Sequence, residues 1–264
     1  MTPADPPPPH ARVTVRATIA PLLAEPRASA PQTSQLLRGH HADVLDTVDA
    51  WKQIRGVDGY DGWCHTGYLT ETPYDGTILR SAWSDERRMS LGCAVRRSDV
   101  SRMSLPVGAL LDPDDVVVTG LAMNARGRAR YFAGDTQVMV RRAIELFAGT
   151  PYQWGGVTPW GADCSGFVQT VFALHGMQLP RDAWQQAERG IDVRGEASDH
   201  RAADLLFFSD RDDAKITHVA MSLGGDTIIH CSLANGGFGT DVLSASTAVA
   251  EQLRRTFRFA KRVM

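Results

Sequence analysis

Asp163-Cys-Ser-Gly-Phe-Val168 is the stretch whose reading decides the fold. An acid stands in front of a run that continues with Phe167, Val168, Val171, Phe172 and Leu174 apolar and Gly176 beyond them. That is a capped helix with one buried face and a glycine stop. Cys164 falls in its first turn, where unpaired N–H groups favour a thiolate. Asp135 caps a similar helix carrying Val140, Ile144 and Phe147, closed by Gly149 with Pro151 after it, and Asp182 caps a third through Arg189. Strand-like runs follow: Leu205 to Phe208, Thr217 to Leu223, and Thr227 to Ser232. Helices first and antiparallel strands after them predict an α+β domain over residues 131–264.

Upstream the texture differs. Short apolar or alternating runs broken by turn residues fill Arg12 to about Leu69: Val13-Thr-Val, Ser34-Gln-Leu-Leu, Asp43-Val-Leu-Asp, Trp51-Lys-Gln-Ile and Gly62-Trp63. They predict a small barrel of short strands over residues 11–71. A weaker second copy, with Leu105-Pro-Val-Gly108 and Val116-Val-Val-Thr119, spans 75–130. Residues 1–10 hold five prolines and read as a disordered tail.

Hydrophobic residues make up 43% and charged residues 22% of the 264, and the formal net charge is −2. That is ordinary globular composition, with nothing that favours nucleic acid or an anionic membrane. There is no run of about eighteen apolar residues to cross a bilayer. The start lacks a basic, apolar leader, so a cytoplasmic location is expected. Cysteines at 64, 93, 164 and 231 match no common zinc framework, and no metal or cofactor is expected. Cys64 and Cys93 read as small barrel residues and Cys231 as core. Asp204 reads as a turn residue at a strand end.

A thiol nucleophile needs a base and a group to orient that base. His218 and His230 lie on two predicted strands separated by Gly224-Gly225-Asp226. Opposite positions in a hairpin have a constant sum, so a loop centred on Gly224 makes the two histidines direct partners on one face. A plain two-residue Gly224-Gly225 turn puts them on opposite faces. The pairing therefore requires an odd-length loop or a bulge.

Tyr152-Gln-Trp-Gly-Gly156, Asp163-Cys-Ser-Gly-Phe-Val168, Leu179-Pro-Arg-Asp182, Asp204-Leu-Leu-Phe-Phe208 and Thr217-His-Val219 together resemble the NlpC/P60 cysteine peptidases. The resemblance covers most of residues 135–235. It implies a papain-like core in which Cys164 attacks a carbonyl, His218 takes and returns the proton, and His230 orients His218. It further implies that Tyr152 helps stabilise the oxyanion and that Asp163 and Ser165 hold a substrate amine. The bond cut lies between D-γ-glutamate and the diamino acid of a peptidoglycan stem peptide. Trp154 and Trp160 could stack on substrate or pack beneath the site. Asp182 reads first as a helix cap and second as a substrate ligand.

Gly59-Tyr-Asp-Gly-Trp63 resembles the signature of bacterial SH3 modules. Two such modules before a catalytic domain look like the enzymes that recycle wall peptides. In those enzymes the signature tyrosine, here Tyr60, joins the aspartate and serine around a free L-Ala amine. They often carry Glu where this chain reads Gly39-His40, and a histidine cannot supply that charge. The implied fold is thus an α+β papain-like domain preceded by two small all-β SH3-like barrels. The implied partners are peptidoglycan-derived peptides of the L-Ala-γ-D-Glu-diamino acid type. The alternative function is wall binding through the SH3 segments, with a secondary amidase or acyltransferase activity.

Overall fold

Alternation of apolar residues sets the first strands: Val13 and Val15, Ala20 and Leu22, Ala42 and Val44 all turn inward. The computed structural model describes residues 11–74, 76–97, 102–194 and 199–263, so the proline-rich tail at 1–10 lies outside the described residues. The chain divides into two compact units at Ala125/Arg126.

In the first unit, β1 (Ala11–Val15), β2 (Ile19–Leu23), β3 (Gln32–Leu37), β4 (His41–Val48), β5 (Trp51–Arg55), β6 (Asp61–His65) and β7 (Leu69–Thr72) form one antiparallel sheet, in the order β3-β2-β6-β5-β4-β1-β7. It closes on a core that includes Val13, Leu22, Val44, Ile54 and Cys64. The following strands β8 (Met89–Arg96), β9 (Arg102–Leu105) and β10 (Val116–Met123) make a second sheet, ordered β10-β8-β9.

These two sheets share one compact unit, although the sequence reads them as separate modules. Arg38 explains the union. Its side chain is 2% exposed and meets Asp112 at 2.5 Å and Asp115 at 3.0 Å. Arg97 reaches the same two acids at 3.1 and 3.7 Å. The backbone N–H of Leu110 donates to the Arg38 carbonyl, and His40 Nε2 donates to the Gly108 carbonyl at 3.1 Å. A buried guanidinium has to be paired where it lies, and both its acids come from the connection between β9 and β10.

The second unit begins with α1 (Ala125–Tyr131) and α2 (Thr136–Phe147), the latter capped by Asp135, which accepts from Gln137 N and Val138 N. A two-stranded hairpin, β11 (Val157–Thr158) and β12 (Gly161–Ala162), leads into α3 (Cys164–Leu174) and the single turn α4 (Ala183–Gln186). The helix expected to run from Asp182 through Arg189 is thus shorter. Gln186 is drawn inward instead, donating from Nε2 to the Ser165 and Pro180 carbonyls.

Then come β13 (Ile191–Val193), β14 (Leu205–Phe208), β15 (His218–Gly224), β16 (Thr227–Ser232), β17 (Gly237–Val242), α5 (Ala248–Thr256) and β18 (Phe257–Arg262). The six strands form an antiparallel sheet ordered β13-β18-β14-β15-β16-β17. Leu205, Phe207, Val219, Met221, Ile229 and Cys231 pack with α2 and α3, while Leu206, Phe208, Ala220 and Ile228 pack with Leu253 of α5. Asp204 at the head of β14 is more than a turn residue: it takes the Arg262 fork at 2.7 and 2.6 Å in a buried position. This is the α+β, papain-like arrangement preceded by an all-β region that the sequence implies.

Burial takes the His40 pKa down to about 4, against an unfolded value of about 6.5. Between those values the unfolded chain binds a proton that the folded chain refuses, so stability falls as pH drops through that window. His40→Gln, which keeps a donor for Gly108, should retain about 1–3 kcal/mol more stability than the wild type on going from pH 7 to pH 4. Urea unfolding at the two pH values measures the difference; parallel losses in both proteins would dismiss His40 as the titrating group.

Candidate active site

Five donors converge on the carboxylate of Asp163. Oδ1 accepts from Gly166 N at 2.8 Å, Arg181 Nη1 at 3.0 Å and Ser165 Oγ at 3.3 Å. Oδ2 accepts from Gly155 N at 2.8 Å and Arg181 Nη2 at 2.6 Å. A carboxylate offers about four lone-pair sites, so this one is fully subscribed. The expected grip of Asp163 on a substrate amine does not fit that count. Its side chain and that of Arg181 are 7% and 1% exposed, and together they pin the start of α3. Ser165 belongs to the same knot, since its Oγ accepts from Arg181 at 2.9 Å.

The glycines of the loop follow from this packing. A Cβ on Gly166 would collide with the Gly156 carbonyl, and one on Gly156 with the backbone of Gly161 and Ala162. The loop from Tyr152 to Gly156 therefore lies flush against the first turn of α3.

Cys164 follows the cap and is buried. Backbone groups of Val219 and Ser165 hydrogen-bond to its sulfur and favour the thiolate, as does the Arg181 charge. Desolvation outweighs them, with Asp163 adding to it, and pushes the thiol up to about 12. The helix start alone does not make a resting thiolate here.

Val219 follows His218, and the two histidines meet. His218 Nε2 lies 2.7 Å from His230 Nδ1. Their register differs from the one expected. Met221 pairs with Ile229 and Ser222 with Ile228, with a bulge between Ser222 and Gly224. Continuing that ladder sets His230 opposite Ala220, so His218 is its diagonal neighbour rather than its direct partner. The bulge preserves the shared face, and diagonal side chains of this length still touch.

Two further residues complete the chain. His230 Nε2 lies 2.9 Å from Asp241 Oδ2 on β17, and Asn235 Nδ2 donates to the same oxygen at 2.8 Å. Asp241 has its carboxyl held below the usual range, chiefly by the His230 hydrogen bond. An ionised carboxylate only accepts, so His230 carries its proton on Nε2 and presents Nδ1 as an acceptor. His218 must then donate from Nε2, which leaves its Nδ1 as a free lone pair. Burial takes His218 down to about 3, and a proton on His230 would lower it further, so its imidazole rests neutral.

Residues 149–255 match the NlpC/P60 family, and residues 18–70 match the bacterial SH3 domain. The second unit is an NlpC/P60 domain. The chain is 39% identical over 223 residues to a protein of Bacillus cereus named gamma-D-glutamyl-L-lysine dipeptidyl-peptidase, covering 75% of this chain and 66% of that one. A Bacillus subtilis protein of the same name is 36% identical over 117 residues, covering 42% of this chain and 38% of that one. The chain thus spans less than two thirds of these relatives. Among solved structures, an NlpC/P60 family protein from Bacillus cereus aligns with a TM-score of 0.74 at 18% identity, over 96% of this chain and 99% of that one.

The NlpC/P60 domain opens a cavity of about 270 Å³ whose walls include Tyr152, Cys164, His218 and His230. Burial, with Cys164 and Asp163 adding to it, raises the Tyr152 phenol above its usual range, so it stays a donor. Trp154 and Trp160 are 67% and 47% exposed and are absent from the cavity walls. Asp182 sits in front of α4; its N–H donates to Gln185 Oε1, and its Oδ2 accepts from Trp184 Nε1. Tyr60 belongs to the first unit, in the turn before β6, with its N–H on Asp58 Oδ1 at 3.2 Å.

All four cysteines are free and buried. Among the described residues, the one group spaced to hold a metal is Asp112, Asp114 and Asp115, and Arg38 and Arg97 already pair with Asp112 and Asp115. Three residues of the site escaped the sequence reading in their roles: Arg181, Asn235 and Asp241. Only Arg181 left a trace there, inside Leu179-Pro-Arg-Asp182.

Arg181→Met should cost about 3–5 kcal/mol, because it strands a buried carboxylate. Adding Asp163→Asn, which keeps a capping side chain, should restore part of that loss. Chemical denaturation of both variants measures this. A loss under about 1 kcal/mol for Arg181→Met would mean that α3 is not pinned through this pair.

Proposed function

We propose that the protein is a cysteine peptidase that hydrolyses the amide between γ-D-glutamate and a diamino acid in peptides derived from peptidoglycan. The observation that carries the reading is the unbroken polar chain from His218 through His230 to Asp241, beside a buried thiol in the same cavity. The names of the relatives support the bond class.

Cys164 Sγ attacks the γ-carbonyl carbon of the glutamate while its proton passes to His218 Nδ1. The C=O electrons move onto oxygen, where the Tyr152 phenol donates a hydrogen bond to the growing charge. His218 then returns the proton to the amine nitrogen of the diamino acid, the C–N bond breaks, and a thioester remains. Water, deprotonated by His218, opens the thioester and regenerates the thiol. His230 and Asp241 hold the base in the tautomer that both steps need. A substrate with a free amino-terminal L-Ala is proposed on the resemblance of Gly59 to Trp63 alone.

Incubation with L-Ala-γ-D-Glu-L-Lys and mass analysis of the products tests the activity. Release of lysine is expected; an intact peptide, or cleavage after L-Ala, would overturn the reading. Cys164→Ala and His218→Ala should each lower kcat by about a thousandfold or more. Asp241→Asn keeps the shape but no longer enforces the His230 tautomer. It should cost about a hundredfold in kcat with KM little changed. It should also alter the pH profile of kcat, which a merely structural loss would leave in place.

A further inference from the structure

The cavity beside Cys164 is chemically lopsided. Beyond His218 its wall continues through Thr217, Ser209 and Asp210 to Gln252 and Thr256 of α5. With His218 and Cys164 both neutral, Asp210 is the one lining residue that carries a formal charge among those described. Asp210 is exposed at this end of the cavity, and its neighbours fix its position. Thr217 Oγ1 donates to Asp210 Oδ1 at 3.0 Å, and Thr217 N donates to the Phe208 carbonyl at 3.0 Å. The preceding Ser209 is fixed on three sides: its N–H donates to the Thr256 carbonyl, its Oγ to the Lys215 carbonyl at 2.7 Å, and its carbonyl accepts from Arg258 at 3.0 Å.

The cations of the same loop are turned elsewhere. Arg211 forks onto Asp213 at 2.9 and 2.8 Å, and Lys215 lies over the Trp184 ring at 5.0 Å. Arg211 acts on Asp210 only through space.

Mechanism tells which half of a substrate this end receives. The base that takes the thiol proton must hand it to the leaving nitrogen, so the leaving fragment lies on the base's side of the nucleophile. We propose that Asp210, steadied by Thr217, forms the subsite for the side-chain ammonium of the leaving amino acid, and so selects a cationic diamino acid at that position. The inference rests on the peptidase reading for its direction and names the group that would read the diamino acid.

Binding separates the two claims, because it needs no turnover. The full chain carrying Cys164→Ala is titrated calorimetrically with L-Ala-γ-D-Glu-L-Lys and with its Nε-acetyl-lysine analogue, and wild-type hydrolysis of the first peptide is followed in parallel. The lysine peptide should bind about fivefold more tightly than the acetylated one, the upper range for an ion pair with an exposed carboxylate. The preference should narrow at high salt. Adding Asp210→Asn should reduce it to about twofold, and Asp210→Lys should reverse it. Equal affinities of the two peptides, or a preference that survives Asp210→Asn, would overturn the subsite even if the wild type cuts the peptide. Selective binding without hydrolysis would instead remove the peptidase reading and leave the subsite standing. Failure of both peptides to bind would overturn the subsite as well.

Discussion

The site depends on one carboxylate. Asp163 receives the first turn of α3 through Gly166, the loop before it through Gly155, and the segment from Leu179 to Asp182 through Arg181. Three stretches of chain that share no secondary structure are brought to one point, and Cys164 is the next residue. A buried ion pair of this kind adds little net stability over apolar packing, but breaking it is expensive. Its effect is to define where the thiol sits rather than how firmly the domain folds. The same carboxylate opposes ionisation of the neighbouring sulfur, and Arg181, which neutralises it, works the other way.

That balance decides the kind of chemistry. Burial lifts the Cys164 thiol to about 12 and lowers His218 to about 3, so neither is charged at rest. Burial disfavours the charged form of each group taken singly, and a thiolate and imidazolium formed together would offset only part of that cost. In the mechanism we propose, transfer of the Cys164 proton to His218 as the C–S bond forms avoids separated charges, provided that His218 is aimed and its free nitrogen is the correct one. The chain through His230 to Asp241 supplies both conditions without placing a net positive charge in the cavity. Orientation substitutes for a preset ionisation state.

Much of this was legible in the residues. Asp135 and Asp163 announce their helices because an acid before an apolar 3.6-residue repeat has one physical meaning, a cap. The shared face of His218 and His230 required an odd loop or a bulge, and a bulge supplies it. Their offset was not legible: a bulge between Ser222 and Gly224 shifts the ladder by one residue, and nothing in Leu223-Gly-Gly-Asp226 distinguishes it from a longer loop. Asp241 was invisible because β17 reads Gly-Phe-Gly-Thr-Asp-Val, with glycines where the alternation should be. Arg38 and Asp112 are 74 residues apart, so no local pattern joins them. The closing elements α5 and β18 carry Arg and Glu among their apolar positions, and their burial is set by the sheet they cover.

Charge now separates what this chain can recognise from what it holds for itself. A cationic ligand needs a carboxylate whose lone pairs are not already taken. Asp163 has none to spare, Asp204 is clasped by Arg262, Asp241 is shared by His230 and Asn235, and Asp182 accepts from Trp184. His40, at the position where a related acid was expected, is neutral and tied to the Gly108 carbonyl. Asp210 differs from all of these in lining the cavity, where the Thr217 hydroxyl takes one of its oxygens. The carboxylates nearest the nucleophile therefore serve the fold and the base. In the proposed mechanism, the charge left over for a substrate lies beyond His218, on the side from which the amine would depart.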